Sequence, residues 1–249
     1  MPPNQPDLTD VDRDIVTSVA ESGVLTTSQV ARMLQVRSSV AGVTLRRLRE
    51  RGLLTSYPSQ ADRRLIWQPT TKALGMVPVE RLDLCNHVSV QRTQHYVEHQ
   101  LLLNDVRVAM TEGLRVSSQF FEFWYDPYLP FKRKGLADAY AEYDYNGVRC
   151  GVFVNVDRDK EGLSRWIAQA KRYDAQLRAG LRRRLRREDV VVLIVTRSES
   201  KLARIRGACQ KGSPEMFWLT TFERLHRAGF FGQAWSRPMD SDHRALLHS

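Results

Sequence analysis

The spacing of apolar residues between Asp10 and Thr70 constrains this chain more than any other feature of its sequence. Val11, Ile15, Val16 and Val19 recur at helical intervals, which predicts a first helix over Asp10 to Glu21 with one apolar face, ended by Gly23. Thr27 is the expected cap of a short second helix that turns Val30, Ala31 and Leu34 inward. Ser38 or Ser39 caps a third, with Val40, Val43, Leu45 and Leu48 as its buried stripe. The outward face of that third helix then carries Arg37, Arg46, Arg47, Arg49 and Arg51, and Gly52 stops it. Leu53 to Tyr57 and Arg64 to Gln68 read as two strands around a polar turn, Pro58 to Arg63. Helix, turn, basic helix and two-stranded wing together make a winged helix-turn-helix, a module that puts a helix into a DNA major groove.

Arginines on a helix are often only a solvated face, and such modules also serve as dimer or docking domains. The charge asymmetry favours DNA. Basic side chains sit on the two elements that would touch a duplex, while the first helix is led by Asp10, Asp12 and Asp14. Ser38, Ser39 and Thr44 join the arginines as expected contacts, and Arg63 and Arg64 on the wing would reach a flanking backbone or minor groove. A formal net charge of +10 over 249 residues points the same way, to a polyanionic partner. Hydrophobic content of 42% with 27% charged residues is ordinary for a folded globular chain. Cys85, Cys150 and Cys209 lie far apart with no Cys-x-x-Cys pair, which argues against a zinc finger or a disulfide framework and fits a reducing cytoplasm. Met1 to Asp7 is polar and Pro-rich rather than a secretory signal, and no window approaches the roughly 18 apolar residues that span a bilayer. The expectation is a soluble cytoplasmic protein with no membrane role. One winged helix gives a small footprint, so a homodimer on half-sites one helical turn apart is expected as well.

The chain divides, on this reading, into the winged helix (8–76), a connector and long helix (77–112), an α/β domain (113–235) and a polar tail (236–249), with disorder expected over Pro238 to Ser249. Val90, Val97, Leu101, Leu102, Val106, Val108 and Met110 predict a helix over Val88 to Glu112. His95 and His99 on it are one turn apart, a spacing that suits a metal but also suits two polar residues on a half-exposed helix. Arg115 to Tyr125 reads as strand, followed by a loop with Lys132, Arg133 and Lys134. Ala137 to Tyr145 and Val148 to Val156 form a hairpin about Asn146-Gly147. Leu163 to Leu177 is a helix with Leu163, Trp166, Ile167, Ala170 and Leu177 inward. Asp189 to Thr196 is an apolar run expected of a strand buried on both faces. A helix (Ser200 to Ala208), a short strand (Met216 to Leu219) and a last helix (Thr221 to Ala228) complete an α/β layer.

The sharpest enzymatic signal lies on the hairpin and the helix after it. Asp138 is on the first strand. On the second, alternation puts Phe153, Asn155 and Asp157 on one face, and polar groups at 155 and 157 of an apolar strand need a reason. Gln169 and Tyr173 share a helix face at i and i+4. With Leu136 to Tyr140, Phe153 to Arg158, Lys171-Arg172-Tyr173 and His99 to Val108, this order resembles a restriction-endonuclease-like PD-(D/E)xK core. Coupled to a winged helix, it resembles the replication-relaxation family of plasmid and mobile-element proteins over about Asp10 to Thr196.

The resemblance implies a pair of acidic residues and a lysine that hold a divalent metal and the attacking water, with Gln-x-x-x-Tyr supplied by a helix. The chain departs from that pattern. Asn155 stands where the family's strand usually has glutamate, and a neutral amide lacks the charge that holds Mg²⁺. Asp157 stands where the lysine is wanted, and Lys171 points to a different helix face from Gln169 and Tyr173. Two readings follow. In one, the chain is a sequence-specific double-stranded DNA-binding protein with no cofactor, a regulator or accessory factor of a mobile element, its nuclease-like domain serving backbone binding or dimerisation. In the other it is a Mg²⁺-dependent DNA endonuclease with Asp138 and Asp157 as metal ligands. A third keeps both domains for protein contacts. The run Arg182-Arg183-Arg184-Leu185-Arg186-Arg187 is either a solvated loop or a phosphate contact. No phosphate-binding loop, dinucleotide fingerprint or serine nucleophile elbow is present.

Overall fold

A computed structural model describes residues 8–60, 63–85, 93–115, 121–126, 135–145, 147–158, 161–186, 189–240 and 242–246. The chain forms two compact units, Met1–Asn104 and Asp105–Ser249.

In the first unit α1 (Asp10–Ser22) opens with a capping box. The Thr9 hydroxyl accepts from the Asp12 N–H at 3.2 Å and the Asp12 carboxylate accepts from the Thr9 N–H at 3.1 Å. Ile15, Val16 and Val19 are buried as expected, but Val11 is exposed. A two-residue strand, β1 (Leu25–Thr26), leads into α2 (Thr27–Leu34). The cap of α2 is Thr26, not Thr27. Thr26 Oγ1 accepts from the Gln29 N–H at 3.3 Å while Gln29 Oε1 accepts from the Thr26 N–H at 3.0 Å. The Thr27 hydroxyl instead accepts from Trp67 Nε1 at 3.0 Å, tying the helix to the wing.

Next come α3 (Ser38–Glu50), β2 (Leu54–Pro58) and β3 (Leu65–Pro69). The three strands form an antiparallel sheet in the order β1-β3-β2. Three helices closed by a small sheet whose hairpin follows the third helix are a winged helix-turn-helix. Thr70 caps α4 (Thr71–Leu74), and a 3-10 segment spans Val79–Leu84 within the expected connector. The first turns of α5 (Gln94–Leu114) pack Val97 and Leu101 on Val24 and Ile66, and Gln29 Nε2 donates to the Leu101 carbonyl at 2.8 Å. Val88 and Val90, expected on this helix, lie outside the described residues.

α1 and α3 are joined by an ion pair between the buried Asp12 and the half-exposed Arg47. Burial alone would push the Asp12 carboxyl up. The hydrogen bonds from Arg47 and Thr9 and the Arg47 charge together outweigh it and hold the carboxyl below the usual carboxylate range. A depressed carboxylate contributes stability that is present above its unfolded pKa of about 3.9 and lost as pH falls through the folded value. Arg47→Ala should therefore cost ~1–2 kcal/mol at neutral pH, less than a fully buried pair because water reaches the guanidinium. Urea unfolding at pH 7 and in acid checks this. The gap between variant and parent should close on acidification, and a constant gap would contradict the assignment.

The second unit is a five-stranded mixed sheet in the order β4-β5-β6-β7-β8, from β4 (Phe121–Tyr125), β5 (Ala139–Tyr145), β6 (Val148–Asp157), β7 (Asp189–Thr196) and β8 (Phe217–Thr221). β4, β5 and β6 are antiparallel neighbours, and β6, β7 and β8 are parallel. The parallel steps need crossovers. These are α6 (Leu163–Arg178) with α7 (Leu181–Leu185) between β6 and β7, and α8 (Glu199–Cys209) between β7 and β8. Trp166, Ala170 and Tyr173 of α6 and Leu202, Ile205 and Ala208 of α8 pack on one face of the sheet, against Tyr140, Phe153, Val192 and Ile194. Leu163, expected inward, is exposed at the first turn of α6. The last turns of α5 lie against the other face, where Arg107 sits over the rings of Phe123 and Tyr125 and donates to the Tyr125 hydroxyl at 3.3 Å. α9 (Phe222–Ala228) follows β8.

Of the tail expected to be disordered from Pro238 on, Arg244 and Leu246 are held against the fold. Ser236 exchanges backbone hydrogen bonds with Leu219 at 2.9 and 3.0 Å, Trp235 bridges Arg244, and Leu246 is buried. β8 is an edge strand, and this segment satisfies the backbone groups of Leu219 on it. Cys85, Cys150 and Cys209 are buried and form no disulfide among the described residues. Among the described residues no helix is long and apolar enough to cross a membrane.

Candidate nucleic-acid interface

Helical geometry sorts α3 into two faces. Ala41, Thr44, Leu45 and Leu48 are buried, and Ser39, Val40, Val43, Arg46, Arg47 and Glu50 are exposed. Val40 and Val43 were expected in the buried stripe and are not there, being 49% and 56% exposed. Leu45 and Leu48 fix the inward direction, and counting back four residues from each gives Ala41 and Thr44. The same count corrects Thr44 as a DNA contact. Its side chain faces the core, and its hydroxyl donates to the Val40 carbonyl at 3.2 Å.

The remaining expected contacts differ in how free they are. Arg37 at the N-cap of α3 and Arg46 on its open face are exposed, and neither side chain has an ion-pair partner among the described residues. Ser38 and Ser39 are exposed in the first turn, with no side-chain cap made by Arg37. Arg47 is held by Asp12, so its charge is partly spent on the fold. Arg49 Nη1 donates to Ser56 Oγ on β2 at 3.2 Å, which places it at the junction of helix and wing. Arg51 is the C-cap of α3 and is partly buried; its carbonyl accepts from Lys72 Nζ at 3.1 Å. Arg63 and Arg64 are exposed at the wing tip, where Arg63 takes a left-handed φ of 58° and its N–H donates to the Ser59 carbonyl at 3.0 Å.

Arg182 and Arg183 are exposed on α7 in the other unit, and the Arg184 side chain lies outside what is described. The loop of Lys132, Arg133 and Lys134 is outside it too. His95 and His99 fall on α5, and among the described residues no three His, Cys, Asp or Glu side chains come together as a metal site.

The polar cluster of the second unit is tightly interlocked. Asp138, just before β5, lies opposite Asn155 in the register that pairs Ala139 with Val154, and its Oδ2 accepts from the Val156 N–H at 2.8 Å. Asn155 Nδ2 donates to the Tyr173 hydroxyl at 3.1 Å, which donates in turn to the Leu136 carbonyl at 2.7 Å. Gln169 Nε2 donates to that same carbonyl. Burial, reinforced by the Asp138 charge, holds the Tyr173 hydroxyl well above its ordinary value against the hydrogen bonds from Asn155 and Gln169, so it stays a donor. Gln169 and Tyr173 thus clamp the backbone that delivers Asp138.

Asp157 is fully buried and already neutralised. Its Oδ2 accepts from Trp166 Nε1 at 2.7 Å and pairs with Lys201 Nζ of α8 at 3.3 Å. The lysine next to the acid therefore arrives from a later helix, while Lys171 is exposed. A divalent cation would meet one partly exposed carboxylate, Asp138, an amide engaged by Tyr173, and a carboxylate engaged by an ammonium. That donor set does not fit Mg²⁺, a hard cation that takes its protein ligands mainly from carboxylates.

Residues 16–192 match the replication-relaxation family. The chain belongs to the replication-relaxation family. The stretch shared with the family runs from α1 into β7, so Asn155, Asp157, Gln169 and Tyr173 fall within it and Lys201 does not. No curated protein matches the chain. Among solved structures it is similar to the YusO protein from Bacillus subtilis at 20% identity and a TM-score of 0.27, over 28% of this chain and 50% of that one. It is similar to ZitR, a zinc-responsive MarR family member of Lactococcus lactis, at 25% identity and a TM-score of 0.27, over 30% and 51%. A mutant MarR from E. coli complexed with operator DNA gives 18% identity and a TM-score of 0.29, over 44% and 76%. The chain spans about half the length of the first of these structures. At such scores the winged-helix assignment rests on this chain's own strand order and helix packing.

Proposed function

We propose that the chain is a sequence-specific double-stranded DNA-binding protein, a regulator or accessory factor in the replication or transfer of a mobile element. The observation that carries this reading is the open face of α3. It presents Arg37 and Arg46, which have no ion-pair partner among the described residues, beside the exposed arginines of the wing, in a chain of net charge +10. In this reading α3 enters the major groove and Arg63 and Arg64 track the flanking backbone. Two copies bind half-sites one turn apart, and the protein works in the cytoplasm without a cofactor.

The second unit is on this account a restriction-endonuclease-like core that no longer cuts. The antiparallel pair β5-β6, the parallel step to β7 and the opposed Asp138 and Asn155 support the likeness. The interlocked Asn155–Tyr173 and Asp157–Lys201 contacts weigh against metal-dependent cleavage. Arg182 and Arg183 then serve as backbone contacts. Capture of fragmented genomic DNA on the full chain, followed by sequencing, tests the proposal. A few sites sharing one motif, repeated in inverted orientation about 10 base pairs apart, are expected. Recovery indistinguishable from the input would overturn it.

A further inference from the structure

Two exposed valines lie on the open side of α3, Val43 near the middle of the face that Arg46 shares and Val40 toward its edge, beyond Arg47. Val40 and Val43 are 49% and 56% exposed, and helical geometry puts Val43 between Arg47 on one side and Ser39 and Arg46 on the other. Nothing in the fold asks for them there. Single exposed apolar residues are common, and a β-branched residue on an open helix surface is a poorer helix former than alanine or lysine. Their position distinguishes them: a small apolar patch with the exposed Arg46 on the same face and Arg37 at the helix start.

An isopropyl group has no donor or acceptor, so in a major groove it can favour only the apolar feature of a base edge. Among the unmodified bases of DNA only thymine presents one there, its C5 methyl. Val40 and Val43 are three residues apart, about 4.5 Å along the helix, close to the ~3.4 Å step between stacked bases.

Resting on the DNA-binding reading above, we infer that Val40 and Val43 select the target sequence by packing on the C5 methyl groups of thymines in neighbouring base pairs. The hydrogen-bonding and charged side chains of the same face hold the helix in register, and the valines add a preference that charge cannot supply.

The test uses duplexes enriched from a random library on the full chain, each prepared with thymine and again with uracil at the same positions. Uracil keeps every hydrogen-bonding group and removes only the methyl. Each methyl lost should weaken binding about fourfold, the worth of one buried CH₂, and both together about fifteenfold. In Val40→Ala with Val43→Ala, a change that favours the helix, the thymine-to-uracil ratio should fall to near one. Equal binding of both duplexes by the parent chain, or an unchanged ratio in the variant, would overturn the inference while leaving DNA binding intact. Loss of self-association in the variant with the ratio unchanged would make the patch a contact between copies and would overturn it too. Enrichment of no duplex at all would fail the DNA-binding reading itself.

Discussion

Replacing Arg37 and Arg46 together by alanine should lower affinity for duplex DNA about a hundredfold near 0.1 M salt. Each phosphate contact releases close to one counterion, which is worth about tenfold at that concentration. Losing two should also reduce the slope of log K against log salt by about two. Neither side chain has an ion-pair partner among the described residues, so the fold should be untouched and the circular dichroism and unfolding midpoint unchanged. Arg47→Ala is the informative contrast. Arg47 spends its charge on Asp12, so its loss should show mainly in stability and only weakly in the salt slope. Titrations by fluorescence anisotropy at several salt concentrations separate the two. An affinity unchanged in the double variant, or a larger loss for Arg47→Ala, would mean that α3 is not the surface that meets DNA.

The second large effect belongs to the other unit. Lys201→Met should destabilise it by ~3–5 kcal/mol, because it removes the ammonium that pairs with the buried Asp157 carboxylate. Adding Asp157→Asn should recover most of that loss, since an amide is far cheaper to bury than a carboxylate. The recovery distinguishes an uncompensated charge from a mere packing defect, which the second substitution would not repair. Urea unfolding of the parent, both single variants and the double variant gives the coupling energy directly. A Lys201→Met variant within ~0.5 kcal/mol of the parent would show that the ion pair does not hold the unit together.

Much of this architecture is legible in the sequence because it is written in local patterns. The three helices and hairpin of the first unit follow from apolar spacing and punctuation by Gly23, Gly52 and the polar wing turn. The strands of the second follow from β-branched and aromatic runs. β1 escapes such reading because Leu25 and Thr26 are too short to show a period and become a strand only by pairing with β3. Thr26 and Thr27 are equally good caps on paper. Gln29 decides between them, because the reciprocal bond of a capping box needs its partner three residues on.

Val40 and Val43 mislead because valine is more often core than surface. Their opposition to Leu45 and Leu48 shows only when the whole turn count is fixed. Asp12 reads as a surface acid at a helix start, yet it is buried against an arginine 35 residues away. Lys201 could not be linked to Asp157 from spacing at all. The two meet only because α8 returns across the sheet next to α6, a consequence of tertiary packing that no local pattern carries.

The central claim is that this member of the replication-relaxation family binds its DNA and leaves it whole. One measurement addresses it. An end-labelled duplex enriched on the full chain is incubated with the protein and either Mg²⁺ or Mn²⁺, and the same sample is run on native and denaturing gels. The account predicts a retarded band on the first and intact strands on the second, for the parent and for Asp138→Ala alike. Shortened strands that appear with the metal and vanish in Asp138→Ala would contradict it.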